Sequence, residues 1–308
     1  MKIFIKYIFI INIMLLNLFA GENKRFLVFG SKGWIGSKIV KLLKDRNYEV
    51  FEAKSRLQNR ESVEKELLEI KPEYVINAAG ITGRPNIDWC EDHKQDTIRT
   101  NLIGTLNLMD LCFLNNIHMT NFGTGCIYEY DINHPINSGK GFKEEEEPNF
   151  DRSFYSKTKI ILDKLFQYYP NVLNLRLRMP ISDDLHPRSF ITKIISYEKV
   201  INIPNSMSIL SDLLPISIEM TLEKLNGNYN FVNPGVISHN EILDLYKEYI
   251  DKDFKYTNFT LEEQKKILKA DRSNNELDTT KLLSKFPNIP NIKESIIEVF
   301  KRMQKVIK

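Results

Sequence analysis

The chain has 308 residues, 42% of them hydrophobic and 11% aromatic, which suits one large globular domain or two modest ones; glycine and proline are too sparse for a fibrous or disordered chain. A balance of 43 basic and 40 acidic residues leaves a net charge of +3, which excludes an electrostatic nucleic-acid footprint. Cys90, Cys112 and Cys126 form no CxxC or Cys/His spacing, so neither a disulfide framework nor a metal site is indicated and a reducing compartment fits best.

In chain order, residues 1–24 form a hydrophobic leader in which Lys2 and Lys6 precede an apolar run to Phe19. Asn12 and Asn17 interrupt the run, and Leu18-Phe19-Ala20 matches a cleavage site poorly. The expectation is a cytoplasmic protein with an appended leader; the alternative is secretion or membrane anchoring through residues 1–20. Arg25 to Phe29 then reads as a strand, Trp34 to Leu43 as an amphipathic helix, and Tyr48 to Phe51 as a second strand. Val63 to Ile70 reads as a helix and Tyr74 to Asn77 as a third strand. This alternation predicts an α/β fold, a doubly wound parallel sheet of Rossmann type.

A long helix is predicted from about Thr97 to Asn115, with Ile98, Leu102, Leu106, Met109 and Cys112 on one side, and a strand at Met119 to Phe122 delivers Thr124 to the carboxyl edge of the sheet, where ligands of doubly wound folds bind. Residues 131–150 read as a loop, ordered or mobile, with Glu144 to Glu147 as a solvated acidic run. A helix from Phe154 to Tyr169 and a strand from Val172 to Arg178 follow. Beyond Pro180 the rhythm weakens to short segments and helices near Ser238 to Ile250 and Leu261 to Lys269. The expected division is a dinucleotide-binding domain at 25–180 and a smaller, mixed substrate-binding region at 181–308.

Gly30-Ser31-Lys32-Gly33-Trp34-Ile35-Gly36 lies between a strand and a helix, where glycines let the backbone approach a pyrophosphate at the helix N-terminus. After the second strand the chain offers Lys54, Ser55 and Arg56 instead of an aspartate for a ribose hydroxyl. A cation there suits a 2'-phosphate, which favours NADPH over NADH with Arg56 and Lys32 as phosphate partners. The alternative is that both are solvent-facing charges. Asn77-Ala78-Ala79-Gly80 supplies small residues where a strand passes the cofactor, and Asn101 sits on the neighbouring helix; either asparagine alone reads as a core or cap amide.

Tyr155 and Lys159, four apart, share one helix face, so an ammonium can hold a phenol proton ready for a carbonyl oxygen. With Asn101 and Thr124 they complete a pattern that resembles the extended short-chain dehydrogenase/reductases. Longer stretches, among them Thr124-Gly125-Cys126-Ile127-Tyr128-Glu129, Gly83-Arg84-Pro85-Asn86, Arg178-Met179-Pro180-Ile181-Ser182, Phe190-Ile191-Thr192-Lys193 and Asn202-Ile203-Pro204-Asn205-Ser206-Met207, resemble the epimerase/reductase of plant UDP-rhamnose synthesis.

That resemblance implies a 3,5-epimerase and NADPH-dependent 4-reductase acting on UDP-4-keto-6-deoxy-D-glucose. It implies Thr124, Tyr155 and Lys159 as the hydride-transfer trio, and Cys126 with Lys193 as the acid and base that invert the carbons flanking the ketone. Gly30, Lys32, Gly33, Trp34, Ile35, Gly36, Arg56, Asn77, Ala78, Ala79 and Asn101 are the expected cofactor contacts. Arg84, Asn86, Asn205, Ser206 and Arg272 are the expected substrate contacts. Gly125-Cys126 stands where dehydration would want an Asp-Glu pair, so a separate upstream dehydratase is expected as a partner; a homodimer is a family-level expectation. The competing readings are a reductase alone on a related nucleotide-linked sugar such as dTDP-4-keto-rhamnose, and a non-catalytic sugar-nucleotide binder.

Overall fold

The computed structural model describes residues 24–307, so the leader lies outside the described residues. β1 (Arg25–Phe29), α1 (Trp34–Asp45), β2 (Glu49–Glu52), α2 (Arg60–Ile70) and β3 (Tyr74–Asn77) alternate as the periodicity predicts. Short helices α3 (Trp89–Asp92) and α4 (Lys94–Thr97) lead into a π-helical turn at Ile98–Ile103, α5 (Gly104–Leu114) and β4 (His118–Thr124). α6 (Phe154–Phe166), β5 (Val172–Leu177), α7 (Phe190–Ile194), β6 (Lys199–Val200), α8 (Leu210–Leu222) and β7 (Gly227–Asn230) follow. The chain then runs through α9 (His239–Tyr249), β8 (Thr257–Asn258), α10 (Leu261–Ile267), α11 (Thr280–Lys285) and α12 (Ile292–Ile307).

Six strands form one sheet in the order β2-β1-β3-β4-β5-β7, every neighbouring pair parallel. The chain leaves β1 for β2 on one side and returns to β3 on the other, which opens a crevice beyond the carboxyl ends of β1 and β3. Side chains alternate between faces along each strand. Phe26, Val28, Tyr74, Ile76, Leu173 and Leu175 pack under α1 and α8, while Leu27, Phe29, Val75 and Met119 pack under α2, α5 and α6.

A row of amides crosses the second face. Asn77 donates to Asn121 (2.9 Å), Asn121 to Asn174 (2.9 Å) and Asn174 to Asn228 (2.8 Å), each pair in register across neighbouring strands. The row ends at Asp163 of α6, which accepts from Asn174 at 3.1 Å and from the buried Arg176 at 2.5 and 2.9 Å. A buried polar row tolerates only the register that satisfies it. It therefore fixes both the strand alignment and the seat of α6.

Several details depart from the sequence reading. The predicted helix from Thr97 is not regular; it widens to π geometry around Asn101, whose side chain binds the backbone of Ile81. The loop at 131–150 is strapped down, with Phe142 bonded to Glu276 and Asp278 and Phe150 to Ile127. Within it Glu144 is not solvated: it is 6% exposed, it accepts from the Asn230 amide at 2.9 Å, and burial pushes its carboxyl pKa up. Its neighbours in the acidic run miss this fate because only Glu144 faces the end of β7.

The regions on either side of residue 180 interleave, since α8 covers the sheet and β7 is its sixth strand. What stands apart is a second core built from α7, α9 and α12, with Ile191, Ile194, Ile242, Leu243, Ile296 and Phe300 at its centre. α12 has no counterpart among the predicted elements, although Ile292, Ile296, Val299, Phe300 and Met303 recur at helical spacing. Among the described residues no helix is long and apolar enough to cross a membrane.

Candidate active site

The crevice is floored by the glycine turn. Gly30 has φ +73°, and a Cβ there would come within 2.6 Å of the Ala79 amide nitrogen. A Cβ on Gly36 would meet the Gly30 carbonyl at 2.1 Å, while Gly33 closes the turn by donating to Gly30 at 2.8 Å. The helix that starts at Trp34 has no side-chain cap and no acidic residue in its first turn. Its N-terminal amides and their partial positive charge suit a phosphate. The residues therefore fit a dinucleotide.

Beside the turn, Asn77 is buried, and its carbonyl accepts from the Ala79 amide at 3.1 Å. Asn101 is 1% exposed and grips Ile81 through both ends of its amide, at 2.7 and 2.8 Å. Both were expected to contact the cofactor; their side chains shape the loop that lines its crevice. Trp34, 8% exposed, stacks on His186 at 5.1 Å and donates to Asp184 at 3.0 Å. Arg56 is exposed as expected, but Ser55 is not available to a phosphate. The Glu66 carboxylate accepts from the amides of Lys54 and Ser55 at 2.8 and 3.0 Å and also from the Ser55 hydroxyl. Glu52, the last residue of β2, is turned to Lys44 at 3.1 Å.

The reacting groups meet at the carboxyl end of β4. The Thr124 hydroxyl accepts from the Cys126 amide at 3.1 Å, which leaves its own proton free to donate. Ser153 caps α6 by accepting from the Ser156 amide, and the Ser156 hydroxyl donates to the Cys126 carbonyl at 2.6 Å. These bonds bring Tyr155, 7% exposed, against Thr124 and Cys126. Burial pushes the phenol's pKa well up, Cys126 adds to that, and the Thr124 hydroxyl works against it. The Lys159 nitrogen, 5.9 Å from the Tyr155 ring centroid, does not offset the burial, so the phenol is held in its acid form. Burial also pulls the Lys159 pKa down to about 8. No carboxylate pairs with it among the described residues.

Other expected contacts are distributed differently. Lys193, half-buried on α7, makes no hydrogen bond or ion pair to Thr124, Cys126 or Tyr155; burial, then Arg188, lowers its pKa. Arg84 is exposed, and the Asn86 side-chain carbonyl accepts from the Asp88 amide at 2.8 Å. Arg272 pairs with Asp88 at 2.8 Å and lines a cleft with Glu129, Tyr130, Arg152 and Asn274. Asn205 and Ser206, expected on the substrate, are fully buried. Asn205 accepts from Arg178 and from the Asn275 amide, and Ser206 accepts from the Leu277 amide at 2.9 Å. They knit the floor of the site, because the segment holding them is stitched to residues 273–277.

Residues without an assigned role complete the site. Asn275 donates to the carbonyls of Gly125 and Tyr128 at 3.0 and 2.8 Å, which holds the turn bearing Cys126. Arg178, 1% exposed, donates to the Cys126 sulfur at 3.5 Å. One signal was available: in Val172-Leu173-Asn174-Leu175-Arg176-Leu177-Arg178 polar residues alternate through a strand that should be wholly apolar.

A glycine turn at the switch point of a parallel sheet, with Thr, Tyr and Lys converging beyond it, defines an extended short-chain dehydrogenase/reductase. Residues 26–200 match the NAD dependent epimerase/dehydratase family, and the chain belongs to that family. It is 56% identical over 280 residues, 91% of this chain and 93% of the relative, to a bifunctional dTDP-4-dehydrorhamnose 3,5-epimerase/dTDP-4-dehydrorhamnose reductase of Arabidopsis thaliana. It is also 56% identical over 282 residues to a trifunctional UDP-glucose 4,6-dehydratase/UDP-4-keto-6-deoxy-D-glucose 3,5-epimerase/UDP-4-keto-L-rhamnose-reductase of the same plant, but spans only 42% of that protein. The crystal structure of the UDP-rhamnose synthase of Acanthamoeba polyphaga mimivirus superposes with a TM-score of 0.88 at 44% identity, covering 92% of this chain and 100% of that one.

Proposed function

We propose that this chain converts UDP-4-keto-6-deoxy-D-glucose to UDP-L-rhamnose, inverting C3 and C5 and then reducing the C4 ketone with NADPH. The observation that carries the reading is the Cys126 thiol set near the Tyr155 hydroxyl while its amide is bonded to Thr124, a proton-transfer group inside a carbonyl-binding site. The names of the relatives, which span both dTDP- and UDP-linked sugars, support the same two-stage chemistry.

Protons on C3 and C5 are acidic because each carbon flanks the ketone. Cys126 as thiolate takes one, the electron pair moves into the ketone as an enolate, and the Tyr155 and Thr124 hydroxyls stabilise that oxygen by donating to it. Lys193 as ammonium returns a proton from the opposite face, which inverts the carbon. NADPH, when bound, supplies the hydride that reduces C4. Tyr155 then gives its proton to the alkoxide, with Lys159 keeping a positive charge beside the phenol. In this reading Arg272 and the cleft beside it take the nucleotide diphosphate, to which a guanidinium can offer two parallel bonds. Gly125-Cys126 occupies the place where dehydration wants two acids, so a 4,6-dehydratase elsewhere supplies the ketone. Exposed Ile103, Phe113, Leu114 and Ile161 on and beside α5 and α6 support the proposed dimer.

Incubation with UDP-4-keto-6-deoxy-D-glucose and NADPH in deuterated water tests both halves: deuterium is expected at C3 and C5 of the product, and NADPH is consumed. Cys126→Ser is expected to slow the deuterium wash-in about 10²-fold or more while leaving NADPH binding intact. Wash-in at the unmutated rate would leave only the reductase reading. Because the Lys159 ammonium exists below its lowered pKa and not above it, reduction is expected to fall as pH rises through about 8. Single-turnover NADPH oxidation against pH would show this, and a rate flat from about pH 7 to 9.5 would remove Lys159 from the reaction.

A further inference from the structure

Arg178 emerges from the end of β5 into the floor of the site with its guanidinium almost completely enclosed. Burying a guanidinium is costly unless a counter-charge sits beside it. Among the described residues no carboxylate pairs with it. Its Nη2 donates to the Asn205 side-chain carbonyl and, at 2.6 Å, to the Ser273 backbone carbonyl; its Nη1 donates to the Ser273 hydroxyl at 2.9 Å and to Cys126 Sγ at 3.5 Å, while its Nε has no partner. Every oxygen in this set is neutral. The sulfur is the one contacting atom that can carry a full negative charge.

The other titratable groups around the pair are neutral near pH 7. Burial pushes the pKa of Tyr130 well up, and its hydroxyl is spent on the Pro204 carbonyl. Burial and Arg178 pull His239, on α9, down to about 4. Tyr155, facing Cys126 from α6, is held as the acid. Burial likewise pulls the Arg178 pKa below its ordinary value, and the largest influence in the other direction is Cys126.

We propose that Arg178 is the fixed positive charge that stabilises negative charge on the Cys126 sulfur, and is thus the positioning residue for this thiol's work as a base. The inference rests on the epimerase reading and deepens it. In the forward step the thiolate accepts the proton from C3 or C5 and becomes a thiol, the C–H electron pair passes into the enolate, and Arg178 keeps its charge throughout. Once Lys193 has given up its proton, exchange with solvent restores the thiolate and the ammonium. The rigid bonds to Asn205 and Ser273 keep the guanidinium from following the substrate or turning to solvent. This explains why Asn205 and Ser273, which the chemistry does not need directly, are buried in the floor.

The test is the alkylation rate of Cys126 by iodoacetamide in the full chain with NADPH present, followed by peptide mass spectrometry between about pH 5 and 10. Buried Cys90 and Cys112 serve as internal references. In the unmutated protein Cys126 is expected to be alkylated near pH 7 faster than the thiol of glutathione. Arg178→Met is expected to lower the rate near pH 7 about tenfold, and Arg178→Lys to restore much of it. The same Met variant is expected to lose deuterium wash-in, and Arg178→Lys to regain part of it.

Alkylation of the unmutated Cys126 near pH 7 no faster than that of glutathione would overturn the proposal without any variant having to fold. So would an unchanged rate in a folded Arg178→Met protein. Because alkylation involves no sugar, fast, Arg178-dependent alkylation without wash-in by the unmutated enzyme would uphold the Arg178–Cys126 coupling and discard the epimerase reading instead.

Discussion

Replacing Tyr155 with Phe is expected to slow ketone reduction about 10²- to 10⁴-fold, the usual worth of a positioned proton donor. The substitution removes one hydroxyl and keeps the ring, so the packing of α6 on the sheet survives. The phenol is buried against Thr124 and held in its acid form. Wash-in at C3 and C5 should drop as well, because the same hydroxyl steadies the enolate oxygen. Single-turnover NADPH oxidation measures the first effect and NMR of the product the second. Reduction within about threefold of the unmutated rate would mean that Tyr155 does not deliver the proton.

Asp163→Ala should destabilise the protein by about 3–5 kcal/mol, the cost of leaving a buried charge without its partner. Asp163 and Arg176 are 7% and 1% exposed in their side chains and are bound through two hydrogen bonds. The carboxylate also closes the amide row by accepting from Asn174 at 3.1 Å and Asn228 at 3.4 Å. Urea unfolding would report the loss. Replacing both members, as in Asp163→Leu with Arg176→Met, should recover much of it, since the pair's attraction only partly exceeds its desolvation cost. A single-substitution loss below about 1 kcal/mol would show the pair to be solvated in solution. Because Asp163 lies on the helix that carries Tyr155 and Lys159, the single variant is also expected to lose activity at temperatures where it is still folded.

The two sites differ in how far they were visible beforehand. Tyr155 and Lys159 were assignable because four residues on a helix are one turn, and a turn is local. The same holds for the glycine turn, whose three glycines lie within seven residues between a strand and a helix. Arg176 and Asp163 carried no such signal, since an arginine in a strand finds its partner only when a neighbouring helix is laid across it. Glu66 closing the amides of Lys54 and Ser55 is hidden for the same reason, and the loop after β2 is less cationic than its composition suggests. Asn205 and Ser206 were assigned to the substrate on resemblance alone; their burial depends on a stitch to residues 273–277 that no local pattern announces.

By itself, then, the sequence determined the alternation of strands and helices through residue 180, the cofactor turn, and the placing of Tyr155 and Lys159 on one helix face. These follow from hydrophobic period, turn chemistry and helical spacing, which act over a few residues; Thr124 and Cys126 joined them only through the family resemblance. Only the tertiary structure decided that β7 and α8 complete the sheet, that the asparagines align into a row ending on Asp163, and that Arg178 meets Cys126. Those depend on strand order and register, which bring together side chains far apart in the chain and let burial determine which charges must find one another.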